Sequence, residues 1–168
     1  MSQISQAYVG LGSNLGDRAG HLLLAVRAMI DAGLCVARLS SIYETGPVEV
    51  EDDQPSYLNM VAELSLDANA LAPEQLLARL LRIEYNLGRR RERFHAARTI
   101  DLDLLLYADA QCDTDFLKLP HPRLHLRRFV LGPLAELAPG LSYPTLDKTV
   151  AELLADSDER AVVRLWRP

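Results

Sequence analysis

The sequence has little that would mark a secreted or membrane protein. It contains two cysteines, Cys35 and Cys112, which are too few for a disulfide scaffold and are typical of reduced thiols in the cytosol. No stretch approaches the roughly 18 uninterrupted apolar residues of a membrane-spanning helix, and the N-terminus lacks a basic segment followed by an apolar run. We therefore expect a cytoplasmic protein with no membrane partner.

An excess of positive charge is also missing. Lysine and arginine number 18 against 23 aspartates and glutamates, so the formal net charge is −5. The overall field of such a chain does not attract nucleic acid, and we expect no nucleic-acid partner. Hydrophobic residues make up 49% and charged residues 24%, which is a globular balance. The simplest interpretation is one domain over residues 1–168, present as a monomer.

Hydrophobic periodicity predicts alternating strands and helices along most of the chain. The predicted strands cover about residues 7–11, 34–43, 58–66 and 99–107, and the predicted helices end at Gly33 and Gly88. The resulting order, β-α-β-β-α-β followed by additions, suits an α+β fold with helices on one face of a sheet. The tail from about Leu141 onward is assigned to packing.

Two aspartates on the strand predicted at 99–107 form the first candidate site. Alternate side chains of a strand share a face, so Asp101 and Asp103 point the same way as Tyr107. Leu106 belongs to the opposite, core-facing side. Neighbouring carboxylates repel each other, and Mg²⁺ commonly binds one or two carboxylates together with substrate phosphates. The alternative is that both carboxylates face solvent or pair with nearby arginines.

A run of arginines lies directly before this strand. Residues 89–98 hold five arginines and one glutamate, which predicts a flexible cationic arm. Guanidinium groups match phosphate oxygens and stabilise charge on a transferring group. The alternative is a solvated loop or a nucleic-acid contact, but the position before a candidate metal strand favours a triphosphate. Glu84, near the end of the preceding helix, is by itself typical of an ordinary helix-surface carboxylate.

Several short motifs follow one another along the chain. They are Gly12-Ser13-Asn14-Leu15, Tyr43-Glu44-Thr45, Gln54-Pro55-Ser56-Tyr57-Leu58-Asn59, Arg82-Ile83-Glu84, Gly88-Arg89-Arg90-Arg91, Arg98-Thr99-Ile100-Asp101-Leu102-Asp103, and Pro120-His121-Pro122-Arg123 with Arg127 and Phe129. Each motif alone is weakly specific. In this order and spacing, over about residues 7–139, they resemble the 6-hydroxymethyl-7,8-dihydropterin pyrophosphokinase family of folate biosynthesis.

The resemblance implies a ferredoxin-like α+β fold and a reaction between two small molecules. A pyrophosphoryl group passes from ATP, the co-substrate, to the hydroxymethyl oxygen of 6-hydroxymethyl-7,8-dihydropterin, and AMP leaves. The resemblance also implies two Mg²⁺ ions held by Asp101 and Asp103, which neutralise the triphosphate. Arg89 and Arg98 match catalytic arginines of a mobile loop that closes over the triphosphate.

The resemblance divides the remaining site residues between the two substrates. The ATP-side residues are Glu84, Arg91, His121 and Arg127. The pterin-side residues are Thr45, Val48, Tyr57, Asn59 and Phe129. Asn59 suits its role because an amide offers both donors and an acceptor to a heterocyclic edge, and Tyr57 and Phe129 sandwich the flat ring.

Two positions depart from the family pattern, and two other functions compete with this one. His95-Ala96-Ala97 stands where the family has Trp-Gly-Pro, and Leu126 stands where an acidic or polar residue often precedes the arginine. Ferredoxin-like sheets also bind single-stranded RNA through aromatic residues, but the acidic composition and the two aspartates argue against that. A relative that binds nucleotide without turnover is disfavoured, since every expected metal and arginine position is filled.

Overall fold

An antiparallel sheet with helices on both faces forms the frame of the molecule. The computed structural model describes residues 4–46, 55–67, 71–88, 98–158 and 162–168. Within these ranges the strands are β1 (Ile4–Ser13), β2 (Cys35–Leu39), β3 (Tyr43–Thr45), β4 (Tyr57–Asp67), β5 (Asp101–Tyr107), β6 (Cys112–Asp113), β7 (Lys118–Leu119) and β8 (Val163–Leu165). The helices there are α1 (Arg18–Asp31), α2 (Pro73–Asn86), α3 (Arg128–Leu137) and α4 (Val150–Asp156), with a 3-10 turn at Leu124–Leu126. None of these helices has the length and apolar character needed to cross a membrane.

Strand β1 lies in the middle of the sheet, antiparallel to β4 on one side and to β5 on the other. On the far side of β4, strands β2 and β3 pair with successive parts of it, and β8 pairs with β3. The strand predicted at 34–43 is therefore two strands. The break occurs at Ser40, whose hydroxyl accepts a hydrogen bond from the backbone N–H of Val61 at 2.9 Å and so replaces a backbone carbonyl in the ladder.

The sheet buries apolar side chains on both of its faces. Helices α1 and α2 cover one face, which we call the α1/α2 face, and its core includes Leu11, Leu22, Leu64, Leu76 and Leu102. Helices α3 and α4 cover the other, which we call the α3 face, and its core includes Tyr8, Val61, Leu105, Leu131 and Val150. The predicted placement of the helices on one face of the sheet is correct for α1 and α2 only. The C-terminal additions form a second layer on the other face.

A β-bulge near the end of β5 changes the direction of its last side chains. The register between β1 and β5 shifts between Tyr8 and Val9, which leaves Leu105 as the extra residue on β5. Leu105 and Leu106 therefore both lie in the core of the α3 face, and Tyr107 lies in the core of the α1/α2 face. The predicted alternation is wrong for these last two residues, because one extra residue shifts a period of two.

The outer edge of β5 is covered by Glu84, near the end of α2. Its Oε1 atom accepts a hydrogen bond from the backbone N–H of Leu102 at 2.6 Å, and the residue is 2% exposed. A backbone N–H at a sheet edge needs a partner, and a carboxylate forms a strong, charge-assisted bond with it. The burial of Glu84 excludes the interpretation as an ordinary helix-surface carboxylate.

Replacing Glu84 should therefore cost stability. We expect Glu84→Ala to lower the free energy of unfolding by about 2–4 kcal/mol, since it leaves the buried N–H of Leu102 without its acceptor and opens a cavity. Glu84→Gln keeps an acceptor oxygen and should cost about 1 kcal/mol. Urea denaturation measures both, with Arg82→Ala as the exposed control on the same helix. Equal losses for Glu84→Ala and Arg82→Ala would contradict this role.

Candidate functional site

Polar side chains from two strands face each other across a glycine on the α3 face. Gly12 of β1 pairs with Asp101 of β5 on one side and with Asn59 of β4 on the other. Directly opposed residues of an antiparallel ladder share a face, so Asp101 and Asn59 border the same space. With strands roughly 4.8 Å apart, their backbones are about 10 Å from each other. Asp103 lies two residues further along β5, opposite Gly10.

Gly12 of β1 gives this space a flat floor, which we call the glycine floor. A methyl group added at Gly12 would lie 3.3 Å from Oδ1 of Asn59 and 3.9 Å from Cδ1 of Tyr57. Without that methyl group a flat ligand can approach the backbone closely. At Gly10 the side chain of Leu105 fills the corresponding space, 3.5 Å from the position of a methyl group. No role of its own was predicted for Gly12 from the sequence.

The amide of Asn59 is held in a defined orientation. Its Nδ2 atom donates to Oγ1 of Thr45 at 2.5 Å, and both residues are buried. Thr45 in turn lies directly opposite Tyr57 in the β3–β4 ladder. One amide N–H is thus engaged with the protein, while Oδ1 lies beside the glycine floor. Thr45, Tyr57 and Asn59, predicted from the resemblance to act together, do lie together.

The acidic end of the space is balanced by an arginine. Oδ2 of Asp101 accepts a hydrogen bond from Nη1 of Arg98 at 2.7 Å, and the two side chains are 20% and 32% exposed. Burial opposes the charge on Arg98, but attraction to Asp101, and more weakly to Asp103, outweighs it and raises the pKa of the guanidinium. Asp101 is therefore paired with a nearby arginine, as the alternative expected, and this pairing leaves the metal role of Asp101 a prediction.

Asn14, directly after β1, fixes the backbone of Arg98. Its Oδ1 atom accepts from the N–H of Arg98 at 2.7 Å, and its own N–H donates to the carbonyl of Arg98 at 3.1 Å. Asn14 is fully buried. Asn14 belongs to the motif Gly12-Ser13-Asn14-Leu15, from which no separate role was predicted for it. The structure shows that it ties the residue before β5 to the end of β1, so the acidic pair and the glycine floor keep one relative position.

The oxygen donors of the site suit a hard divalent cation. Asp101 and Asp103 lie on one face of β5 and are partly exposed. Over the described ranges, no group of three or more His, Cys, Asp or Glu side chains is arranged to hold a metal ion. Mg²⁺ does not need such a group, because it commonly binds one or two carboxylates and takes its other oxygens from water and phosphate. The pair therefore fits Mg²⁺ better than Zn²⁺, which prefers nitrogen and sulfur ligands.

Three predicted site residues lie on the segment that leads into α3 or in the first turn of α3. The N–H of His121 donates to the carbonyl of Leu105 at 2.9 Å, which places His121 beside the bulge of β5. The guanidinium of Arg127 lies 5.4 Å from the ring centroid of Phe129, within the range of a cation–π contact. Burial, followed by the charge of Arg127, lowers the pKa of His121 to about 4, and Asp101 opposes that shift. His121 is thus within electrostatic reach of both Arg127 and Asp101.

The remaining predicted site residues are Arg89, Arg91, Val48 and Glu84. Arg89, Arg91 and Val48 lie outside the described residues, so their roles stay predictions. Glu84 covers the outer edge of β5 and accepts a hydrogen bond from the backbone N–H of Leu102, the residue between the two aspartates. The nucleotide contact predicted for Glu84 also stays a prediction, and its observed contact holds the strand that carries the aspartates.

The lowered pKa of His121 predicts a pH dependence of stability. The native imidazole should stay neutral down to about pH 4, whereas the unfolded chain takes up this proton near the ordinary value of 6.5. The unfolded state then binds more protons, so the contribution of His121 to the free energy of unfolding should fall as the pH drops from 6.5 towards 4. NMR titration of the ring and urea denaturation at several pH values measure this, with His121→Gln as the control. A ring that titrates near 6.5 would contradict it.

Comparisons with known sequences identify the family. The profile of the 7,8-dihydro-6-hydroxymethylpterin-pyrophosphokinase (HPPK) family matches residues 8–139. A 2-amino-4-hydroxy-6-hydroxymethyldihydropteridine pyrophosphokinase of Bacillus subtilis (strain 168) is 41% identical over 162 residues, which are 96% of this chain and 90% of the relative. A protein of the same name from Methylorubrum extorquens is 42% identical over 163 residues, covering 96% of this chain and 99% of the relative.

A comparison with solved structures gives the same fold. The crystal structure of wild-type Plasmodium falciparum HPPK-DHPS matches with a TM-score of 0.71 at 14% identity, over 92% of this chain and 45% of that chain. The present chain therefore spans less than half of that larger protein, and at this identity the likeness concerns the fold alone. From the profile match and the two bacterial identities, the chain belongs to the 7,8-dihydro-6-hydroxymethylpterin-pyrophosphokinase family.

Proposed function

We propose that this enzyme brings a nucleoside triphosphate and a pterin together in the space between Asp101 and Asn59. The family match identifies the activity as pyrophosphoryl transfer to hydroxymethyldihydropterin in folate biosynthesis. The observation that carries the proposal is the row Asp101–Gly12–Asn59, which places a carboxylate and an amide at the two ends of the glycine floor. The span of about 10 Å suits a two-ring heterocycle whose hydroxymethyl arm points at the aspartates.

The pterin would bind at the Asn59 end of this floor. The amide of Asn59 has an acceptor and a second N–H left for the edge of the ring, because Thr45 occupies only one N–H. We propose that Tyr57 and Phe129 sandwich the ring, with Thr45 and Val48 contacting it largely through backbone. In this view the buried hydroxyl of Thr45 serves chiefly to orient Asn59. A preset amide loses less freedom on binding and so favours affinity.

Asp101 and Asp103 would hold the metal at the other end, and the resemblance indicates two Mg²⁺ ions. When bound, Mg²⁺ neutralises the triphosphate and aligns the attacking and leaving oxygens. Arg98 would have a matching role, since its guanidinium pairs with Asp101. Once Asp101 binds a cation, Arg98 is available to bind a phosphate oxygen instead. Its backbone need not move, because Asn14 holds it.

The remaining ATP-side residues would bind and orient the phosphates. The Nδ1 atom of His121 accepts from the N–H of Arg123 at 3.2 Å, so the neutral ring carries its proton on Nε2 and can donate it in a hydrogen bond to a phosphate oxygen. Arg127 adds positive charge beside His121. We propose that Arg89 and Arg91 close over the triphosphate from the preceding loop, and that the pterin hydroxymethyl oxygen then attacks the β-phosphorus of ATP and AMP leaves.

We also propose a ferredoxin-like arrangement for the core of the sheet. Supporting it are the chain order β-α-β-β-α-β, with β2 and β3 counted as one strand, and the sheet order β5-β1-β4-β2 with antiparallel neighbours. We propose further that the protein is a single-domain, cytoplasmic monomer. Its two cysteines are unpaired and one is exposed, which suits a reducing compartment.

The decisive test is the identity of the nucleotide product. Protein incubated with Mg²⁺, ATP and 6-hydroxymethyl-7,8-dihydropterin should release AMP, and Asp103→Ala should lower kcat by about a thousandfold or more, the scale of losing charge stabilisation in a transition state. Its fold should persist, because removing one of two repelling carboxylates does not strain the sheet. Asp109→Ala, at an exposed position just beyond β5, is the control. Release of ADP alone would contradict pyrophosphoryl transfer.

A second prediction concerns Gly12, the glycine floor. Gly12→Ala places a methyl group 3.3 Å from Oδ1 of Asn59, so it should weaken pterin affinity by about tenfold, within the range expected for overpacking. Affinity for a non-hydrolysable ATP analogue should change little. Gly132→Ala is the matched control, because a methyl group at this position of α3 meets nothing within 4 Å. Equal pterin affinities for the two variants, measured by pterin fluorescence, would disprove the floor.

A further inference from the structure

A cluster of three charged residues lies beneath the pterin end of the site. Glu44 of β3 accepts through Oε1 from Nη1 of Arg18 at 3.1 Å and through Oε2 from Nη2 of Arg164 at 2.7 Å. Arg18, the first residue of α1, also donates to the backbone carbonyl of Ser56 at 2.7 Å. These three side chains, which we call the Glu44 cluster, therefore join four separate segments of the chain.

The segments joined by the cluster are those that carry the pterin-side residues. Glu44 directly precedes Thr45, and Ser56 directly precedes Tyr57. In the ladders Glu44 lies opposite Leu58, whose side chain is in the core of the α1/α2 face, so Glu44 points away from the substrate face. The cluster thus acts on the backbone of the pterin pocket from below and does not line it.

The C-terminal strand β8 completes this support. Val163 lies opposite Thr45, and Arg164 lies opposite Glu44. The pairing continues beyond the strand, because the N–H of Trp166 donates to the carbonyl of Ile42 at 2.9 Å, and Trp166 packs against the core of the α1/α2 face. Strand β8 lies outside residues 8–139, the part matched by the family profile.

The charges of the cluster are well suited to hold these segments. The pKa of Glu44 is lowered, first by the hydrogen bond from Arg164 and then, against its own burial, by that from Arg18, so the carboxylate is charged at neutral pH. The side chain of Glu44 is 16% exposed, that of Arg18 25% and that of Arg164 71%. Partly buried ion pairs are screened less than exposed ones, so the bond to Arg18 should matter more than the bond to Arg164.

We propose that the Glu44 cluster and β8 form a positioning device for the pterin, which holds Thr45 and Tyr57 in place and thereby presets the amide of Asn59. This proposal rests on the proposed function, which assigns those residues to the pterin. The tail predicted to serve only packing then has a defined task. Presetting a site raises affinity because less freedom is lost when the ligand binds. Since the cluster does not reach the acidic end, it should affect the pterin and not the nucleotide.

The experiment measures pterin and nucleotide affinity separately. Variants Glu44→Gln, Arg164→Gln, the double variant and Arg164→Lys are titrated with 6-hydroxymethyl-7,8-dihydropterin in the presence of Mg²⁺ and a non-hydrolysable ATP analogue. Glu44→Gln should raise the Kd for the pterin by about three- to tenfold, and Arg164→Gln by about twofold. The double variant should resemble Glu44→Gln, because Glu44→Gln already breaks the ion pair with Arg164. Arg164→Lys should keep most of the affinity, because it keeps the positive charge.

Two further readouts distinguish positioning from general stabilisation. The Kd for the ATP analogue and the kcat at saturating pterin should stay within about twofold of the unaltered protein. The control Arg27→Ala removes an arginine from an exposed ion pair with Asp31 on α1, away from β3, and should leave pterin affinity unchanged. Thermal unfolding shows that each variant is folded. Because Arg164 is exposed, its variants remain informative even if Glu44→Gln fails to fold.

The possible negative results overturn either the proposed function or the positioning role alone. If the unaltered protein does not bind the pterin, the proposed function is overturned and the positioning role with it. If the unaltered protein binds the pterin and the variants bind it equally well, the positioning role alone is overturned. The same conclusion follows if pterin and nucleotide affinities fall together, because a general loss of structure explains that result.

Discussion

The pairing register of β1 between β4 and β5 is the constraint on which the site depends. Only in this register does Gly12 stand opposite both Asp101 and Asn59. A slip of one residue would turn the polar side chains towards the α1/α2 core, where an unpaired carboxylate is costly. The buried side chains of Leu11 and Leu102 oppose such a slip, since it would expose them. Apolar packing on one face of the sheet therefore sets the geometry of the candidate site on the other.

The acidic pair is stabilised by an arginine that can change partners. Two carboxylates on one strand face repel each other, and Arg98 relieves this by binding Asp101. In the proposed function a cation would replace Arg98 beside Asp101, and the guanidinium would bind a phosphate oxygen instead. Such an exchange would need a side chain that moves on a fixed backbone. Asn14 supplies the fixed backbone through two hydrogen bonds in opposite directions.

Local patterns in the sequence predicted which side chains share a face better than they predicted the contacts that hold those strands in place. Alternation was enough to put Asp101 and Asp103 on one face, because a strand period needs no knowledge of neighbours. It failed after Leu105, since a bulge depends on how two strands meet. The burial of Glu84 depends likewise on the packing of α2 against β5. The pairing of β8 with β3 joins short segments far apart in sequence, and no local period reports it.

In the proposed function the two ends of the site depend on different kinds of interaction. The pterin end would depend on shape, because Gly12 and the bond between Asn59 and Thr45 define the space left for a flat ring. The phosphate end would depend on charge, and the ligand itself would supply part of that charge. A neighbour such as Leu126, exposed beside Arg127, is compatible with that role, because Arg127 keeps its contact with Phe129 and its positive charge. We therefore expect substitutions to be better tolerated at the phosphate end than at the pterin end.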